Sequence, residues 1–69
     1  MIFVFKTSVK TKTQIKQLKP HIDKTLPSAK WNFDLQDIDN ILRIDSEENI
    51  GLIITELLYR HQYSCEELP

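Results

Sequence analysis

The chain contains no apolar run near the roughly 18 residues that a membrane span requires. Its opening, Met-Ile-Phe-Val-Phe-Lys, has neither a basic leader nor an apolar stretch long enough for a secretory signal, so a cytoplasmic protein is expected. One cysteine, Cys65, excludes an internal disulfide and agrees with a reducing compartment. There is no Ser-His-Asp order, no phosphate-binding loop and no outstanding pair of carboxylates, and an enzyme is therefore not expected. Asp37 and Asp39 read more simply as turn formers. At 69 residues there is room for one domain, 1–69, of a size at which a single core only just suffices.

What is present is unevenly charged. Residues 1–30 hold seven lysines against one acid, Asp23, a net +6, whereas residues 31–69 hold Arg43 and Arg60 against nine acids, a net −7. In the plainer reading the two halves become neighbours and partly neutralise each other. In the functional reading a lysine-rich face steers an acidic partner by long-range attraction.

Hydrophobic spacing sets the order of elements. Ile2-Phe3-Val4-Phe5 is β-branched and aromatic and predicts a first strand running on towards Val9. Ile15, Leu18, Ile22 and Leu26 recur at helical spacing, which predicts a helix over about 12–25 with Thr11 or Thr13 as N-cap and a kink at Pro20. Strict alternation over 30–35 predicts a strand with Trp31, Phe33 and Leu35 inward, and residues 41–44 a second strand closing a hairpin. Asp45 or Ser46 is expected to cap a second helix with Glu47 and Glu48 in its first turn and a stripe through Ile50, Ile53, Ile54, Leu57 and Leu58. Residues 63–67 read as a last strand.

The order β-α-β-β-α-β with short connections defines an α+β, ferredoxin-like sandwich, a four-stranded antiparallel sheet with two helices on one face. Its expected core includes Ile15, Leu18, Trp31, Phe33, Leu42, Ile53 and Leu57, while Ile2, Val4 and Ile41 fall on the bare face. RNA-binding modules of this architecture stack bases on exposed aromatics. Here Trp31 and Phe33 follow the buried parity, no Gly-Phe-type motif occurs and the second half is acidic, so no nucleic-acid partner is expected.

Element order, length and the loop after the first strand together resemble the heavy-metal-associated (HMA) domain of soluble copper chaperones and metal-transporting ATPases, over nearly the whole chain. In that family the loop reads roughly Met-x-Cys-x-x-Cys, and its thiolates hold Cu(I) or a similar soft ion. On this sequence Val9 falls at the methionine, Thr11 at the first cysteine and Gln14 at the second. A hydroxyl and a carboxamide match two thiolates in neither charge nor softness, so no metal or cofactor is expected there. The resemblance also places Tyr63 near the loop, where it reads as cover for the edge of the core.

The remaining candidate ligands are His61 and Cys65, a His-x-x-x-Cys pair that falls short of a closed zinc site and could be completed only by sharing ligands across a dimer. Cys65 shares strand parity with Tyr63 and reads more simply as a small buried hydrophobe, and His21 as a surface residue. The leading expectation is a non-catalytic interaction or adaptor module, monomeric or weakly dimeric, that docks an acidic protein through Lys10, Lys12, Lys16 and Lys19. The alternative is copper or zinc binding through His61 and Cys65.

Overall fold

Strand-forming and helix-forming stretches alternate along the chain, and the computed structural model, which describes residues 1–36 and 38–69, arranges them as six elements. They are β1 (Ile2–Thr7), α1 (Lys12–Thr25), β2 (Lys30–Asp34), β3 (Ile41–Asp45), α2 (Gly51–Arg60) and β4 (Cys65–Glu67). The strands form one antiparallel sheet in the order β2-β3-β1-β4, giving the expected ferredoxin-like sandwich. The turn assignment of Asp37 lies outside the described residues. Among the described residues no helix is long and apolar enough to cross a membrane.

Strand register decides which face is buried. Phe3, Ile44 and Trp31 share one rung and Phe5, Leu42 and Phe33 the next, and side chains on a rung point to the same side of the sheet. Phe3, Phe5, Leu42 and Ile44 pack in one cluster with Leu18 and Ile22 of α1 and Ile54 and Leu58 of α2, so both helices cover the same face. Trp31 and Phe33 keep the expected parity but are only half-buried, because β2 is an edge strand with no neighbour on its far side.

On the opposite face the rungs mix apolar and charged residues. Ile2 pairs with Asp45, Val4 with Arg43, and Lys6 with Ile41. Arg43 reaches Asp34 at 3.6 Å and Lys6 reaches Asp39 at 3.5 Å. Ile2, Val4 and Ile41 thus share this face with two ion pairs. Ile41 is 4% exposed yet stands outside the helix-side core, flanked by the ion-paired Lys6 and Asp34 on its own rung.

Several boundaries differ from expectation for identifiable reasons. β1 stops at Thr7, whose Oγ1 donates to the Asn40 carbonyl at 2.8 Å and accepts from the Val9 amide at 3.3 Å; the chain turns there and buries Val9 completely. α1, by contrast, continues through Pro20 as one helix, as expected, with Pro20 and Lys16, whose carbonyl loses its donor, both exposed. β4 is shorter than expected because the Tyr63 amide is still bonded to the Leu58 carbonyl, closing α2, and Gln62 turns the chain with φ 70°.

The start of α2 is the largest departure. Asp45 remains in β3, Ser46 Oγ accepts from the Glu48 amide at 3.2 Å, and the helix begins at Gly51 with Ile50 as an N-cap that makes no side-chain bond. Buried Ile50 belongs to the core, which fixes the loop and leaves Glu47 and Glu48 ahead of the helix. The carboxylate near this helix start comes from β4 instead: a Cβ on Gly51 would lie 2.5 Å from Glu67 Oε1. Glu67 is exposed and Oε1 is the free end of its side chain, so a Cβ at position 51 would only push it aside, and the acid suits the positive end of the helix dipole. With a ten-residue helix, Ile50, Ile54 and Leu58 form a narrow inward stripe; Ile53, expected in the core, is 45% exposed, and Leu57 is half-buried.

Candidate functional site

The loop between β1 and α1 is closed by its own side chains. Thr11 has extended backbone geometry (φ −130°, ψ 155°), as an N-cap requires, and its Oγ1 accepts from the Gln14 amide at 3.1 Å. Gln14 reaches back: its Oε1 accepts from the Lys10 amide at 2.7 Å and the Thr11 amide at 3.3 Å. The result is a capping box, in which two of the four amides that a helix start leaves without intrahelical partners, those of Thr11 and Gln14, are satisfied by the chain's own side chains. The two positions at which the resemblance called for cysteines are therefore joined by hydrogen bonds to the loop backbone. Ser8 fastens the same loop to the α2–β4 connection, through its amide to the Ser64 carbonyl at 3.2 Å and through Oγ from the Ser64 amide at 2.8 Å.

Lys12, Lys16, Lys19 and Asp23 follow at four, three and four residues and form a stripe along one flank of α1, beside its buried stripe. Lys10, Lys12 and Lys16 are exposed, and among the described residues no carboxylate pairs with their side chains. Lys19 is committed locally. Its Nζ donates to Asp23 at 2.8 Å and stands 5.7 Å from the centre of the Trp31 ring, while Trp31 Nε1 donates to the other Asp23 oxygen at 2.9 Å. The Lys19 bond first, and the indole bond second, hold the Asp23 carboxyl below its ordinary range. A group depressed in this way favours the folded state above the ordinary carboxylate range, and that contribution fades as pH falls through its folded value.

An open depression of about 390 Å³ lies between α1 and β2 beside this flank. Ile15, Phe33 and Leu35 supply its apolar lining; Lys12 is the unpaired basic group at its wall among the described residues, because Arg43 there is paired with Asp34, which lines the hollow too. Sequence spacing located the lysines but gave no sign of this hollow, whose lining joins residues of α1 to residues of the edge strand β2 and the turn that follows it.

The alternative ligands have other partners. Tyr63 is half-buried against the core, as is Cys65, whose rung partner is Thr7 on the helix-covered face. Thr55 Oγ1 donates to the Gly51 carbonyl at 2.7 Å and stands 3.9 Å from Cys65 Sγ. Burial pushes the Cys65 thiol up to about 11, with the nearby Glu67 charge adding to the rise, so it stays protonated at neutral pH. In the folded state Cys65 is expected to react slowly with a thiol reagent at pH 7 and quickly in denaturant; equal rates in the two states would place the thiol on the surface. His61, at the C-cap of α2, stands against His21 of α1 with ring centres 4.4 Å apart and planes inclined by 47°. That pairing joins residues 40 positions apart, and no local pattern in the sequence announces it. Among the described residues no group of three or more His, Cys, Asp or Glu side chains is arranged to hold a metal ion.

The architecture and the capped loop define a small α+β domain of ferredoxin-like topology. Comparison with protein-family models, with curated proteins and with solved structures found no match to this chain.

Proposed function

We propose that this chain is a non-catalytic interaction module, related in plan to heavy-metal-associated domains but without their metal site, that docks an acidic segment of a protein partner. The observation that carries this reading is the hollow lined by Ile15, Phe33 and Leu35 with Lys12 at its wall, beside a flank on which, among the described residues, Lys10, Lys12 and Lys16 have no carboxylate partner. A segment with several carboxylates and one apolar side chain fits that surface: the charges steer the encounter and the apolar group fixes the register. Lys19, bound to Asp23, marks the margin of the surface and contributes less charge than its neighbours. Neither nucleic acid nor a membrane is the partner in this reading, and the module works in the cytoplasm as a monomer or weak dimer.

The test is the double reversal Lys12→Glu with Lys16→Glu. Both residues are exposed, so folding is expected to change by less than about 1 kcal/mol, the usual scale of surface charges. A partner retained from cell extract by the immobilised wild-type protein should associate about tenfold more slowly with the reversed protein at low salt. The difference should shrink as ionic strength approaches physiological values, where screening acts over about 8 Å. Equal capture and equal rates for the two proteins would reduce the lysines to a solvated face.

A further inference from the structure

His21 and His61 come from different helices and meet at the surface with ring centres 4.4 Å apart. We propose that they form a two-imidazole site for a divalent late first-row cation such as Ni(II) or Zn(II), separate from the β1–α1 loop and independent of the lysine flank. Imidazole nitrogen is a borderline ligand that suits these ions, whereas it leaves the soft-thiolate chemistry of a cysteine loop unmatched.

The separation fits shared coordination. With metal–nitrogen bonds of about 2.0 Å and a ring centre about 1.2 Å behind each nitrogen, two ligands at right angles hold their ring centres about 4.5 Å apart. Two ligands at the tetrahedral angle hold them about 5.2 Å apart by the same construction. The observed 4.4 Å is close to the first of these values, and a tetrahedral ion calls for a slightly wider pair. The 47° inclination is compatible with two rings directed at one point, which a parallel stack is not. His21 is exposed, so water can complete the coordination sphere and the ion can exchange freely.

Bridging α1 to the end of α2 also ties together two elements 40 residues apart in the chain, and an ion bound only in the folded state raises its stability by mass action. The site is thus a reversible staple across the helix layer, for which the imidazoles must be unprotonated.

The experiment is calorimetric titration of the full chain with Ni(II) and with Zn(II) near pH 7.5, with thermal unfolding followed in parallel, for wild type and for His21→Ala, His61→Ala and Cys65→Ser. Wild type is expected to take up one equivalent and to melt higher with metal, reversibly on chelation. Cys65→Ser should behave as wild type. His21→Ala and His61→Ala should each weaken binding by about tenfold or more, about 1.4 kcal/mol, and abolish the thermal shift. His21 is exposed on the surface of α1, so its variant keeps the test decisive if His61→Ala folds poorly. No uptake by the wild type, or undiminished uptake by His21→Ala, overturns the site; loss on Cys65→Ser alone assigns the metal to the thiol instead.

Discussion

Phe5→Ala is expected to remove a large share of the stability of the domain. Phe5 is fully buried at the middle of the sheet, between Leu42 on β3 and Glu67 on β4. Truncating a fully buried phenylalanine costs about 3–5 kcal/mol, the sum of lost transfer energy and an incompletely collapsed cavity. A chain of 69 residues has a total stability of only about 3–10 kcal/mol at the usual value per residue. Phe33→Ala, on the same rung but out on β2, should cost markedly less, about 1–2 kcal/mol, because the half-buried ring of an edge strand gives up a smaller apolar area. Urea unfolding followed by circular dichroism separates the two. Equal losses would mean that β2 is an interior strand or that its ring is fully enclosed.

Thr11→Cys combined with Gln14→Cys is expected to create a Cu(I) site in the loop between β1 and α1. Two thiolates at the start of a helix meet the ion's demand for soft ligands, and the positive end of the helix favours their ionised form. Affinity should reach the nanomolar range or tighter, about −12 kcal/mol or beyond. The gain comes with a loss, because the two substitutions remove the Thr11 and Gln14 bonds to the loop backbone. Without metal the variant should be about 1–2 kcal/mol less stable than wild type, the scale of a missing N-cap. Competition with a chelator of known affinity and a parallel urea titration measure both effects. A double variant that takes up no Cu(I) would show that the loop geometry differs from a metal-binding one and would remove the support for the proposed kinship.

The fold was legible because its signals are local and periodic. The spacing of Ile15, Leu18 and Ile22 marked the covered face of α1, and the alternation around Trp31 and Phe33 marked the covered face of β2. Where local signals compete with packing, packing prevails. Ser46, Glu47 and Glu48 look like a helix start, yet Ile50 has to enter the core, and the helix waits until Gly51. Ile53 looks like core by spacing and is exposed because a short helix covers the sheet with a single narrow stripe. The candidate site was half visible. Thr11, Gln14 and the lysines could be named from spacing, including the suitability of Thr11 as a cap. The reciprocal bond from Gln14 and the clasp of Lys19 by Asp23 follow local patterns, Thr-x-x-Gln and an i, i+4 pair, whereas the hollow beside β2 and the meeting of His21 with His61 are products of tertiary placement. No short-range pattern encodes the latter two.

The most direct single measurement is a Cu(I) titration of the unmodified protein under reducing conditions, in competition with a chelator, alongside His21→Ala to remove any contribution from the imidazole pair. A loop closed by Thr11 and Gln14 should leave the chelator's copper untouched at nanomolar levels in both proteins, and the amides of Lys10, Thr11 and Gln14 should keep their positions in the NMR spectrum. A stoichiometric nanomolar complex that persists in His21→Ala and shifts those amides would contradict the capped-loop reading and return the domain to the metal carriers.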